Sequence, residues 1–230
     1  MLQRADGLKS ALLSSVSHDL RTPLASIKAS VNALLDPSAH LDTDERTDLL
    51  EGVSEETDRL TRFVTHLLQL SRLESGAVAP QAEWYEINEI IWEVIDVLDP
   101  SEERLRVQVP PTFGLVHVDY VMMVQILTNL VENALRYSPA HSPVELVVEP
   151  AEENWRILVM DRGPGVPEVD REHIFEKFFR SQSRAHGGSG VGLAVARGLA
   201  QAHRGDVWYE ARAGGGSCFV LALPRDELPG

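Results

Sequence analysis

Two architectures follow one another along this sequence: an all-α helical hairpin that pairs with a second copy into a dimeric four-helix bundle, then an α+β sandwich. Three observations predict them. Residues 1–75 carry almost no helix breakers and a single apolar stripe; a stretch of small residues, Gly and Pro follows at 73–81; and from residue 82 strand-like and helical runs intermingle. The organisation expected is a dimerisation domain at 1–75, a linker at 76–85 and a second domain at 86–230.

In the first domain Pro23 is the only proline before Pro37, and Gly7 and Gly52 are the only glycines before Gly76. Apolar residues recur at Leu8, Leu12, Val16, Leu20, Leu24, Ile27, Val31 and Leu34, and again at Leu50, Val53, Leu60, Val64 and Leu67, with Thr57 in step. Alternating steps of three and four residues place them on one narrow seam. Between the two runs, DPSAHLDTDE supplies a proline, turn formers and an N-cap at Asp42 or Thr43. Two helices give only one thin core, so two copies are expected to pair.

In the second domain helices are expected at about 86–98, 119–137 and 190–203, and strands at 104–109, 144–149, 155–160, 206–211 and 217–223. Because they do not alternate strictly, the arrangement predicted is a sheet with helices on one face.

Composition narrows the function. With 230 residues the chain can hold two modest cores, and its net charge of −14 would repel a nucleic-acid backbone, so nucleic acid is not an expected partner. No apolar run approaches the roughly 20 residues that span a bilayer, and no apolar segment follows the N-terminal charges as in a secretory signal. Cys218 is the only cysteine, set in the apolar run SCFVLALP, which excludes an internal disulfide and suits a core position. A cytoplasmic, reducing setting is expected.

Four constellations carry chemistry. In SHDLRTPL, His18 stands two residues before stripe position Leu20 and so points away from the seam, open to another domain. Asp19 can bond one imidazole nitrogen and leave the other as nucleophile; taken alone, such a pair on a helix surface is more often a solvated ion pair. Pro23 should kink the helix just beyond. In NLVENALRY, Asn129 and Asn133 share a helix face one turn apart and can offer carbonyl oxygens to a hard cation such as Mg²⁺. In DRGPGV, Asp161 ends a strand, and Gly163 and Gly165 let backbone approach a flat ring while the carboxylate accepts from an exocyclic amine; a tight turn would look the same. In HGGSGVGL, Gly188, Gly190 and Gly192 open a helix and expose N–H groups where phosphate binds well. No Lys-Ser/Thr follows as in a Walker loop, and no strand precedes as in a dinucleotide fingerprint.

Their order, with IFEKFFR (Ile174–Arg180) between the last two, resembles the sensor histidine kinases of two-component systems, with their H, N, G1, F and G2 boxes. A later Gly214-Gly215-Gly216-Ser217…Phe219…Leu223-Pro224 is similar to that family's closing motif, so the resemblance covers about 9–224. The H box, with aspartate where most relatives carry glutamate, is similar to that of the potassium-responsive kinase KdpD. The resemblance implies His18 as phosphoacceptor, Asp19 as assisting base, and Thr22 as the residue that orients water for dephosphorylating the partner. It implies Asn133 as Mg²⁺ ligand, Asp161 as reader of adenine in ATP, Tyr137 as a stacking ring, Arg136 and Arg180 as phosphate contacts, and a lid at about 181–189. Asn129 falls where gyrase-, Hsp90- and MutL-type ATPases carry a catalytic glutamate; an amide is no general base, so transfer to His18 is preferred over hydrolysis.

The implied partners are a second copy through residues 1–75, a response regulator receiver domain, and an upstream sensor module in cis or in trans, the parent protein being either soluble or membrane-anchored. A hydrolysing ATPase and a catalytically silent dimeric scaffold are the competing activities.

Overall fold

The computed structural model describes residues 20–76, 78–100, 104–111, 113–151, 154–181 and 190–226, and the chain divides into two compact units, Met1–Leu68 and Gln69–Gly230.

The first unit is the helical hairpin. Helix α1 covers residues 20–35 of the described chain and α2 runs Thr43–Glu74. The turn between them closes on Asp36, whose carboxylate accepts from the Ser38 N–H at 2.8 Å and from its hydroxyl at 2.7 Å. Asp42 caps α2: its Oδ1 accepts from the Glu45 N–H at 2.8 Å, while Glu45 Oε2 accepts from the Asp42 N–H at 3.0 Å. This reciprocal box satisfies two amide donors that a helix start would otherwise leave unpaired. Along the seam, Leu24 is 53% exposed, Leu50 57% and Val64 44%. One hairpin therefore leaves much of its apolar stripe in water.

From Gln69 onward α2 belongs to the second unit. Gln69 and Gln125 exchange amide hydrogen bonds, both at 2.6 Å, and Leu70 is buried. A Cβ placed on Gly198 would lie 2.8 Å from Leu73 Cδ1, so the glycine makes room for that leucine.

The second unit adds strands β1 (Glu83–Glu86), β2 (Leu105–Gln108), β3 (Leu115–Val118), β4 (Val144–Pro150), β5 (Asn154–Met160), β6 (Asp206–Ala211) and β7 (Ser217–Pro224). Its helices are α3 (Ile87–Leu98), α4 (Tyr120–Tyr137) and α5 (Gly192–Ala202). Five strands form one sheet in the order β2-β4-β5-β7-β6, with β2 parallel to β4 and every other pair antiparallel. Helix α4 packs on β4 and β5, α5 on β6 and β7, and α3 on α4. In register, Val159 stands opposite both Leu146 and Phe219, and Ile157 opposite Val148 and Leu221. These residues are buried with Met123, Ile126, Leu127 and Leu130 of α4 and Val195 and Leu199 of α5. Full burial of each such side chain contributes about 1.5–3 kcal/mol. Strand β7 is flanked on both sides, and its run Ser217–Leu223 is buried throughout, Cys218 included.

This is the α+β sandwich expected, with two differences. Strands β1 and β3 were not expected; they pair antiparallel as a separate ribbon, from Glu83 opposite Val118 to Glu86 opposite Leu115. Strand β1 also occupies most of what the sequence suggests is the end of the 76–85 linker.

Candidate active site

Strand β5 delivers Asp161 to the end of the sheet, where its side chain is almost wholly buried (1% exposed). Oδ1 accepts from the Gly163 N–H at 2.6 Å and from the Ser217 N–H at 3.2 Å, and the backbone N–H of Asp161 donates to Ser217 O at 2.9 Å. Two donors on one oxygen fix the rotamer. Oδ2 makes no hydrogen bond among the described residues, so the site presents one immobilised acceptor. Gly163 permits this geometry, since a Cβ there would sit 2.5 Å from the Tyr137 carbonyl oxygen. That contact also brings the end of α4 against the turn.

Helix α4 starts from Asp119, whose Oδ1 accepts from the Met122 N–H at 3.1 Å and whose Oδ2 accepts from the Gln81 N–H at 2.9 Å. Its backbone N–H donates to His203 Nε2 at 3.0 Å, and Nδ1 of that buried ring lies 2.8 Å from Leu199 O. With Nε2 accepting, Nδ1 carries the ring proton and donates to the carbonyl. This link ties the start of α4 to the end of α5. On α4, Asn129 is buried and its Nδ2 lacks a partner among the described residues. Asn133 lies one turn on, half-buried, and Tyr137 is half-buried at the helix end. Arg136 is exposed and pairs with Glu132 at 2.8 Å.

Helix α5 opens at Gly192 with Val191 in the N-cap position, and no side chain caps its amides. Those N–H groups are the ordinary anion site of a helix start. Gly190 has φ +66°, and a Cβ there would meet Phe179 O at 2.7 Å. Its carbonyl accepts from the Phe178 N–H at 2.9 Å, which fastens IFEKFFR to the glycine-rich segment. Phe175 meets Phe219 edge-on with centroids 6.4 Å apart, and Lys177 pairs with Glu74. Arg180 is exposed at the end of this segment.

Gly163, Gly165, Asp161 and the end of α4 thus come together. His18 and Asp19 lie outside the described residues, as do Gly188 and 182–189. Thr22 is exposed on α1. The sequence pointed to neither Ser217 N–H nor Arg212 as groups holding Asp161; Arg212 Nη1 donates to Asp161 O at 3.2 Å. Ser217 stood inside the closing motif, but nothing local announces Arg212. Among the described residues no three His, Cys, Asp or Glu side chains could jointly hold a metal. Asn133 could offer a hard cation a single amide oxygen, which suits an ion that takes most of its ligands from water or a bound substrate. No described helix is long and apolar enough to cross a membrane.

Both parts of this architecture, the helical hairpin and the mixed sheet with helices on one face, have counterparts among known protein families. Residues 8–76 match the His Kinase A (phospho-acceptor) domain, and residues 118–227 match the histidine kinase-, DNA gyrase B- and HSP90-like ATPases. The chain belongs to the sensor histidine kinase family. It is 33% identical over 234 residues to the sensor histidine kinase WalK of Bacillus subtilis, matching 98% of this chain and 38% of that protein. It is 31% identical over 231 residues to the sensor protein KdpD of Escherichia coli, matching 100% of this chain and 26% of that one. The chain therefore spans well under half of these two relatives. Among solved structures, full-length ShkA in complex with AMPPNP is 26% identical, with a TM-score of 0.65 over 93% of this chain and 45% of that one. Histidine kinase ThkA in complex with response regulator protein TrrA shares the fold, with 23% identity and a TM-score of 0.71 over 97% of this chain and 64% of that one.

Proposed function

We propose that this chain is the dimerising and catalytic core of a two-component kinase, which moves the γ-phosphoryl of ATP to His18 and then to an aspartate of a response regulator. The observation that carries the proposal is Asp161: a buried carboxylate with one oxygen locked by two N–H donors and the other open to an exocyclic amine. The AMPPNP bound to ShkA and the regulator bound to ThkA support the same assignment.

In this scheme Asp161 reads adenine, the Gly163–Gly165 backbone lies along the ring, and Tyr137 stacks on it. The uncapped start of α5 at Gly192, with Gly188, Gly190, Arg136 and Arg180, faces the phosphates. For Arg136 this requires exchange of Glu132 for a phosphate oxygen. Asn133 holds Mg²⁺, which neutralises charge on the phosphates when bound. The imidazole nitrogen of His18 attacks the γ-phosphorus, the bond to the β,γ-bridging oxygen breaks, and ADP leaves; Asp19 fixes the tautomer and assists as base. The second transfer moves the phosphoryl from nitrogen to a carboxylate oxygen of the regulator. Asn129 cannot activate water as a glutamate would, which protects the phosphoryl from hydrolysis.

We place the dimerisation domain at 1–75, a linker at 76–82 and the catalytic domain from 83 onward, because β1 pairs with β3. The half-exposed seam (Leu24, Leu50, Val64) supports pairing of two hairpins. We further propose that Thr22, four residues beyond His18, orients water against the regulator's acyl phosphate. An upstream sensor module would supply the input.

Incubation with γ-labelled ATP tests the scheme. The expected product is labelled protein, stable to alkali and labile to acid, that vanishes in His18→Gln while ADP affinity stays within a few-fold of the parent. Release of free phosphate without label on the protein would instead identify a hydrolase, and neither event a silent scaffold.

A further inference from the structure

Beyond the turn that carries Asp161, the surface of the second unit has an open depression of about 440 Å³, lined by the exposed Pro164, Pro167, Arg171 and Ala211 and by the more buried Tyr209 and Arg212. Gly165 also reaches its wall, but Asn129, Asn133, Tyr137 and Asp161 do not. It therefore adjoins the place proposed for the nucleotide, sharing Gly165 with it but not the side chains that would read or stack on the base. Its volume lies within the range of small-molecule sites, about 300–1,000 Å³.

The two arginines are in different states. Arg212 is nearly buried and committed: Nη2 bonds Glu145 Oε1 at 2.5 Å and Nη1 bonds Asp161 O at 3.2 Å. Arg171 is held but not neutralised. Its Nε donates to Val166 O at 3.3 Å and its guanidinium stands 5.7 Å from the Tyr209 ring centroid. No carboxylate among the described residues pairs with it. The chain has 35 acidic side chains against 21 Lys and Arg, so a lone guanidinium at the wall of the depression does not reflect a shortage of acids. Tyr209 is fixed in turn, its hydroxyl accepting from the Val166 N–H at 3.2 Å.

We propose that this depression binds a small planar carboxylate, its acid paired with Arg171 and its ring against Tyr209 and the two prolines, and that occupancy alters nucleotide affinity through Arg212 and the Asp161 carbonyl. A planar fork with free Nη donors suits a carboxylate by geometry as well as charge. An aromatic wall and two prolines offer apolar contact without further polar demand. Arg212 is the physical link, since one guanidinium both lines the depression and holds the backbone of the adenine-reading residue. The coupling rests on the nucleotide assignment of Asp161; the binding does not.

The test is an NMR titration of the whole chain with benzoate, with neutral benzamide as its isostere. Benzoate is expected to saturate a cluster of amide shifts at about millimolar concentration, and benzamide to leave them unmoved. Arg171→Gln should weaken benzoate roughly tenfold. Ala211→Phe, which fills the depression, should abolish binding with ADP still bound. Saturating benzoate should shift the ADP dissociation constant by about threefold or more. Absence of benzoate binding at about 10 mM, equal binding in both variants, or simple competition between benzoate and ADP would overturn the site. Benzoate binding that leaves ADP affinity unchanged would overturn the coupling. Failure of ADP to bind at all would remove the nucleotide assignment and the coupling, while the benzoate comparison would still decide the site.

Discussion

Replacing Asp161 by asparagine changes one atom's chemistry at the centre of the proposed site. Oδ1 accepts from Gly163 and Ser217, so the amide oxygen must stay there; the reverse orientation would bury an NH₂ against two N–H donors. The NH₂ then takes the place of Oδ2, and a donor faces the exocyclic amine of adenine where an acceptor stood. A hydrogen bond to a charged group contributes about 1.5–3 kcal/mol, so ADP affinity should fall roughly 10- to 150-fold. Selectivity should invert: the parent should favour ADP over inosine diphosphate, which carries a carbonyl oxygen in place of that amine, and the variant, whose NH₂ can donate to that oxygen, should favour inosine diphosphate. Calorimetry with both nucleotides, alongside a urea titration to show the variant is folded, provides the measurement. ADP affinity within twofold of the parent, in a folded variant, would refute the assignment of Asp161 as the adenine acceptor.

Three further outcomes follow from the same geometry. A fragment of residues 1–75 should sediment as a dimer, because its stripe at Leu24, Leu50 and Val64 stays substantially exposed in one hairpin; a folded monomer at micromolar concentration would contradict the bundle. Thr22→Ala should leave autophosphorylation and forward transfer near normal but slow regulator dephosphorylation roughly tenfold, about 1.4 kcal/mol of barrier; equal decay rates would make Thr22 a structural residue. His117 bonded to Asp226 at 2.9 Å, and then Arg204, hold the Asp226 carboxyl below the usual carboxylate range. Stability from that clasp is therefore present above the ordinary pKa of about 3.9 and is lost as pH falls through the depressed folded-state value. Asp226→Asn should lower the unfolding free energy from urea titration at neutral pH, by no more than about 1 kcal/mol for so exposed a cluster. The difference should close as the pH drops below about 4; a gap that persists into strong acid would assign the effect to packing.

Much of this architecture was legible along the chain because its signals are local. Helix α4 prints its 3.6-residue period through Met123, Ile126, Leu127, Leu130, Val131 and Ala134, and β7 reads as a continuous apolar run because a central strand is buried on both faces. Asp42 announces α2 through the acidic box it forms with Glu45. The candidate site was legible for a related reason: DRGPG places a carboxylate at a strand end next to two residues without side chains, and NLVEN sets two amides on one helix face. Strands β1 and β3 were not; they pair only with each other, across some thirty residues of chain, in a ribbon apart from the main sheet.

The sequence by itself determined the two-part organisation, the type of the long elements, and the chemical inventory of the proposed site, because periodicity and residue type act within a few positions. The tertiary structure alone decided the strand order β2-β4-β5-β7-β6 and the side to which each apolar face turns. Helical period continued unbroken to Glu74, yet the compact units part between Leu68 and Gln69, since a stripe of leucines records that burial is needed and not which surface supplies it. The same holds for Asp161. Its position was written in the sequence, but the Ser217 N–H that locks Oδ1 comes from a strand 56 residues on, and Arg212, which holds its carbonyl, from 51 residues on. Bonds of that span depend on the closed sheet, where β5 and β7 run side by side, and no local pattern encodes them.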